Sequence, residues 1–389
     1  MFQQLKDVLK IPAGEPLKIL KNIIFIFYWF EDKIKHVILT ENDTIVKQGI
    51  AMGKRRKSLF LIYLEFIPFY LLYLFVRRLS LKQSYWISRV LFLLLMRADK
   101  RHRVRTIQHL LHAGAADSLS EAHKLAKEVF CQFSKLLIEI FKMDQHYKPE
   151  KIHMAGSAES MRYLFEERGN AIIVTAHYGN WEIAGTAFCR KTGLGMVSIM
   201  RPFSNPLIGK CILKHRRSLA HEVISKQAGL RPLLKALHDG RHISILIDQH
   251  ASSKEGVATT FWGHPCRTHK TPALLHLKTG IPVIPAVTRR LNNNFEFEFV
   301  FAAPIVYSPT QDKEADIQTI TQLCNTALEG LISRDLTQWM WAPRRWLDIN
   351  RGPYSNGRGK AKEECMTGGP LSQLEKRQAL HQSRNGRRA

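Results

Sequence analysis

The chain has 389 residues, of which 45% are apolar, and a formal net charge of +25 at pH 7. That apolar content excludes a wholly disordered chain, and the length suffices for one large domain or two. A charge of this size calls for an anionic partner: nucleic acid, an anionic membrane surface or an acidic protein.

Residues 1–53 read as an N-terminal extension. Ile23 to Phe30 form an apolar run too short to span a bilayer. No basic stretch followed by a small-residue cleavage site precedes it, so a secretory signal is not expected. Residues 54–97 are more informative. Lys54-Arg55-Arg56-Lys57 precede an apolar stretch from Leu59 to Val76, which Arg77-Arg78 close. As a helix that stretch is about 27 Å long, close to the hydrocarbon thickness of a bilayer. Glu65 and Pro68 inside it count against spanning. A membrane span, an interfacial helix and a buried core helix all remain open. Val90 to Met96, followed by Arg97, Lys100 and Arg101, suits a helix half sunk in the headgroup region.

Residues 98–352 read as an α/β domain. Ser118-Leu119-Ser120-Glu121 carries cap chemistry before a helical run from Ala122 to Phe141. Its apolar stripe, Val129 to Phe141, is either an acyl-chain wall or a core face. From residue 170 the pattern alternates. Strands are predicted at 171–176, 196–200, 222–225, 243–248, 282–288 and 295–301, and helices at 181–191, 206–220, 230–239, 270–279 and 314–333. This alternation predicts a mostly parallel or mixed central sheet flanked by helices. Residues 353–389 are rich in Gly, Ser, Arg and Lys, and a basic disordered tail is expected there.

The chemistry concentrates where the first of these strands ends. Ala171 to Ala176 is a short apolar run, and His177 follows it on a strand-to-helix loop. In open α/β sheets ligands bind beyond the carboxyl ends of strands. A neutral imidazole there can take a proton from a hydroxyl, best when a carboxylate holds its other nitrogen. Glu182, five residues on in the first helical turn, could reach back to do so. His177 could equally be a capping or packing histidine. Arg201 and Asp248 also follow strands and should emerge at the same edge. A guanidinium suits capture of phosphate or carboxylate; Asp248 could orient a substrate hydroxyl or pair with Arg201. Arg344 and Arg345, set among Trp339, Trp341 and Trp346, read as anion-binding residues, while the tryptophans pack or sit at headgroup level. His250, His264 and His269 lack the spacing of a metal site. The six cysteines form no Cys-x-x-Cys pair, which argues for free thiols. No Gly-x-Ser-x-Gly is present, which counts against an α/β-hydrolase.

The run His177-Tyr178-Gly179-Asn180-Trp181-Glu182 resembles the signature of the lipid A biosynthesis late (lauroyl/myristoyl) acyltransferases, within the lysophospholipid acyltransferase superfamily. Arg201-Pro202-Phe203-Ser204-Asn205-Pro206 is similar to the family's Arg-Pro…Asn-Pro block. Asp248-Gln249 resembles its Asp-Gln pair, and Phe261-Trp262-Gly263 its aromatic-aromatic-Gly turn. Gln338 to Trp346 resembles its closing Trp…Arg-Arg-aromatic motif, except that Pro343 stands where the family usually has His. The resemblance covers roughly residues 55–350.

It implies transfer of a fatty acyl chain from a thioester donor, acyl carrier protein or acyl-CoA, to a hydroxyl of an anionic glycolipid, a lipid A precursor. His177 and Glu182 would form the catalytic dyad, and Arg201, Asn205, Asp248, Gln249, Arg344 and Arg345 would bind substrate. Backbone N–H groups at Gly179 and Asn180 would serve the oxyanion. No metal and no redox cofactor is implied. The expected location is the inner (cytoplasmic) membrane, with the catalytic domain facing the cytoplasm. Two alternatives stand beside this one. The acceptor could be another glycolipid or phospholipid, such as an ornithine lipid or phosphatidylinositol mannoside. Charge alone would also suit a membrane-associated nucleic-acid-binding protein, but no nucleic-acid signature is evident, and no nucleic acid is expected as partner.

Overall fold

The computed structural model describes residues 58–346, apart from 201–202, 217–220 and 226–228. The expectations for residues 1–53, for the tail and for Arg201 lie outside the described residues. The described residues fall into two compact units: 58–72 with 203–211, and 73–200 with those from 212 to 346.

Helix α1 (Leu59–Arg78) is long and apolar enough to cross a membrane, by length and composition. Leu59, Phe60, Leu64, Leu71 and Phe75 are exposed on it. Of the three readings this excludes the buried core helix. Helix α2 (Leu81–Ala98) turns Tyr85 and Ser88 inward against α4 and leaves Trp86, Val90, Leu91 and Leu94 outside. Helix α3 (Lys100–His112) is N-capped by Asp99, and α4 (Leu119–His146) by Ser118. Along α4 the apolar stripe is divided: Val129, Ile140 and Phe141 are buried in the core, while Phe130, Phe133, Leu136 and Leu137 are half-buried.

The main sheet has seven strands in the order β1-β9-β8-β2-β5-β3-β4. They are β1 (Ile152–Gly156), β2 (Ile172–Thr175), β3 (Met196–Met200), β4 (His221–Ser225), β5 (His242–Leu246), β8 (Val283–Arg290) and β9 (Phe297–Phe301). Every pairing is parallel except β8 with β9. The connecting helices are α5 (Trp181–Thr192), α6 (Pro206–Arg216), α7 (Arg231–His238), α8 (Thr271–Thr279) and α9 (Lys313–Ile332). Strand alternation sorts the core by face. Ile172 and Val174 join Ile243, Ile245, Leu233, Leu275 and Leu328 in one cluster, while Ile173, between them, belongs to the other face.

Two elements were not predicted. Strand β1 extends the sheet by pairing with β9. Strands β6 (Gly256–Phe261) and β7 (His264–His269) form a separate antiparallel hairpin. Both of its strands are mostly polar, so no apolar run announces them. The turn is the clearer signal: Trp262 (φ +48°) and Gly263 (φ +76°) are both left-handed, the geometry that hairpin turns of two residues demand.

Candidate active site

Strands β2 and β5 are parallel neighbours in register, with Thr175 opposite Leu246. Two residues beyond each stand His177 and Asp248, so their meeting follows from the pairing. The imidazole Nδ1 lies 2.7 Å from Asp248 Oδ1, and the His177 backbone N–H donates to Oδ2 at 2.9 Å. The Trp339 indole N–H donates to the same Oδ2 at 2.8 Å. Burial pushes the Asp248 carboxyl up, but the His177 imidazole beside it and these three hydrogen bonds hold it below the usual carboxylate range. An ionised Asp248 only accepts, so Nδ1 carries the ring proton and Nε2 presents its lone pair. The Gln249 amide nitrogen sits 3.2 Å from that Nε2. The His177 side chain keeps 18% exposure against 2% for Asp248, so the pair is open on the imidazole side only.

The carboxylate on His177 is therefore Asp248, not Glu182. Glu182 lies in the first turn of α5, where the helix path carries it past the ring, and accepts the Trp181 indole N–H at 2.8 Å. The Trp181 ring meets the His177 ring edge-on at 4.9 Å. Glu182 thus touches the imidazole's wall, through Trp181.

The loop itself is tied on both sides. Met340 N–H donates to His177 O, and Gly179 N–H to Gln338 O, both at 2.9 Å. The Gly179 N–H is therefore already spent, contrary to its expected oxyanion role. Gly179 has φ +57°, and a Cβ there would lie 1.9 Å from Thr288 O, so only glycine fits. Asn180 caps α5, its Oδ1 accepting from the Glu182 and Ile183 N–H groups. Its amide donates to Glu139 Oε2 at 2.7 Å. Glu139 also takes the Tyr85 hydroxyl at 3.0 Å and a fork of donors from Arg290. This wholly buried group pins the loop to α4 and β8.

The remaining expected site residues separate. Asn205 caps α6 at Leu207 and Ile208 and donates to Ile62 O and Glu65 Oε2. Its amide is spent on structure, and a direct substrate role is not what this geometry offers. Arg345 is buried, donates to Thr268 and Asn325, and lies 4.3 Å over the Phe261 ring. The expectation of an anion-binding residue is corrected there: neighbouring Arg344 is exposed, whereas the Arg345 guanidinium is taken up by Thr268 and Asn325 inside the fold. Trp339, Trp341 and Trp346 are buried with Phe261 and Trp262, so of their two readings packing holds. The role of Trp339 on Asp248 was missed; its place in the closing motif was the available signal. Burial pushes the Cys189 and Cys324 thiols up to about 12, which leaves them inert. Among the described residues no group of His, Cys, Asp and Glu could hold a metal ion.

Fold and site together define an α/β protein with a histidine–aspartate pair at the carboxyl edge of its sheet. The model of the bacterial lipid A biosynthesis acyltransferase family matches residues 92–348, and the chain belongs to that family. Curated relatives include phosphatidylinositol mannoside acyltransferases. That of Mycobacterium tuberculosis (strain ATCC 25618 / H37Rv) is 23% identical over 180 residues, 46% of this chain and 54% of that one. That of Mycolicibacterium smegmatis is 24% identical over 181 residues, 46% and 57%. The chain thus spans about half the length of the curated relatives it matches. A solved structure, the 1-acyl-sn-glycerophosphate acyltransferase PlsC from Thermotoga maritima, aligns with a TM-score of 0.30 at 12% identity, over 66% of this chain and 99% of that one.

Proposed function

We propose that this protein is an O-acyltransferase that moves a fatty acyl chain from a thioester, on acyl carrier protein or coenzyme A, to a hydroxyl of a lipid A precursor. The observation that carries the reading is the His177–Asp248 pair, with Nδ1 held by the carboxylate and the imidazole the more exposed of the two side chains. In the step, His177 Nε2 takes the acceptor hydroxyl proton as the oxygen bonds to the thioester carbonyl carbon. The Gln249 amide must first yield its place at Nε2. Asp248 steadies the imidazolium that forms. The tetrahedral oxyanion collapses, the C–S bond breaks, and the leaving thiolate takes the proton back from His177. Ester and thiol result, with no covalent enzyme intermediate.

Glu182 keeps a place in this mechanism as the anchor of Trp181. The apolar, exposed α1 and the family support work at a membrane surface, with the inner membrane and a cytoplasmic catalytic face as the proposed setting. A second reading, acylation of a phosphatidylinositol-type glycolipid, is favoured by the mycobacterial relatives. Purified protein with labelled acyl-CoA or acyl carrier protein, and each acceptor class, separates the two by mass spectrometry of the products. His177→Ala should abolish transfer to any acceptor while leaving membrane recovery unchanged; full activity in that variant overturns the mechanism.

A further inference from the structure

A cluster of basic residues begins next along the chain from the pair and draws on four separate elements. Gln249 touches His177, and the next residue, His250, begins the cluster. The His250 N–H donates to Arg344 O at 3.0 Å, and the Ala251 N–H to Arg267 O at 3.1 Å. Arg105 of α3 reaches the same segment, its Nη1 donating to Ala342 O at 3.4 Å. The loop after β5 is thus laced between the closing segment and β7, which brings Arg105, Arg267, Arg344 and His250 onto neighbouring stretches of chain. Arg101 lies one helical turn from Arg105.

These groups influence one another. Burial, then Arg101 and Arg344, push the Arg105 guanidinium down, with only Asp99 opposing. Burial, then Arg344, Arg345 and Arg267, push the His250 imidazole down. Among the described residues no carboxylate forms an ion pair with Arg101, Arg105, Arg267 or Arg344, and the buried His250 Nδ1 has no hydrogen-bond partner. Asp99 is engaged by His102 at 2.5 Å. Like charges brought together without a counter-charge repel, unless an anion completes the set. Guanidinium forks from several directions suit the tetrahedral oxygens of a phosphate.

We propose that Arg105, Arg267, Arg344 and His250 form a binding site for an organic phosphate carried by a substrate that reaches His177. The proposal rests on the acyl-transfer reading, in which two substrates carry such phosphates: the donor, on its pantetheine arm or nucleotide, and the acceptor, on its headgroup. The shared chemistry is the phosphate, and binding distinguishes the sources.

The test uses the purified full chain and binding rather than turnover. Coenzyme A is titrated by calorimetry, and phosphatidylinositol is titrated in neutral detergent micelles. Arg344→Gln is the cleanest variant, since only the backbone of Arg344 is used in the fold. The triple variant Arg105→Gln/Arg267→Gln/Arg344→Gln completes the series, with its melting temperature as a check on folding. Arg344→Gln should weaken binding about tenfold and the triple variant about a hundredfold or more. A loss confined to coenzyme A assigns the site to the donor; a loss confined to phosphatidylinositol assigns it to the acceptor. A well-folded triple variant that binds both as the unaltered protein does overturns the proposal. So does an unaltered protein that binds neither, or a loss seen only as salt-sensitive adhesion to phosphatidylglycerol vesicles, which would make this a membrane-contact patch. If the unaltered protein binds either probe yet forms no ester, the acyl-transfer reading fails while the phosphate site stands.

Discussion

Two buried carboxylates hold the ends of the same short loop, and they are built differently. Asp248 meets a group that can lose its charge, on a side chain left partly open. Glu139 meets Arg290, which cannot, and both are closed off completely. Each collects donors from several elements: Trp339 and two groups of His177 on Asp248; Tyr85, Asn180 and Arg290 on Glu139. The difference lies in what remains unsatisfied. At Asp248 the second imidazole nitrogen meets only the neutral Gln249 amide, at 3.2 Å, and no charged partner. At Glu139 the carboxylate and the Arg290 guanidinium answer each other, and the assembly places Asn180 and the helix it caps. One pair is arranged to change protonation and the other to prevent movement.

Substitutions can break that comparison, the largest effect first. Asp248→Asn should leave the shape intact but free Nδ1 to take the wrong tautomer, and lower turnover by about four powers of ten, ~5.5 kcal/mol. Single-turnover kinetics on the purified variant check this, and a drop of less than tenfold would remove Asp248 from the mechanism. Glu139→Ala should cost about 3–5 kcal/mol of stability by stranding the Arg290 charge. Denaturant unfolding measures it; a small loss would mean that Arg290 finds another partner.

Acid sharpens the contrast by a different route. His109 and His242 are buried, and burial brings both down to about 4. Unfolded histidines take a proton near 6.5, so between about pH 6.5 and 4 the unfolded state binds more protons and stability falls as pH falls. Each can contribute up to about 3 kcal/mol of that loss. Asp248, held below its ordinary value, adds a further loss only at lower pH, as its carboxylate is protonated in the folded state. Melting curves across the range should show the first decline above pH 4, and His242→Gln should flatten it. The smallest effect is expected at Glu182. Glu182→Gln keeps an acceptor for Trp181 and should reduce turnover about tenfold or less, whereas a residue directly bracing the base would cost far more.

Much of this was legible in the sequence because it is local. The β-branched run Ile172-Ile173-Val174-Thr175 makes a buried strand in nearly any context, and His177 follows it onto the sheet edge where ligands gather. Asn180 announces the helix it caps, and the alternation after residue 170 predicted six of the seven sheet strands within a residue or two at most ends. The polar hairpin and β1 escaped because each is held by its partner strand rather than by an apolar pattern of its own.

What the amino-acid order determined by itself is the position of the histidine, the turn behind it and the apolar helix α1, each a consequence of nearest-neighbour backbone preference and hydrophobic period. What only the tertiary structure decided is which acid the histidine meets. Glu182 is five residues away and Asp248 is 71, yet Asp248 wins because β2 and β5 lie side by side in register. The same holds for the inward turn of Arg345 and the cation cluster around His250. Hydrogen-bonded strand pairing brings remote residues within 3 Å, and no spacing along the chain records it.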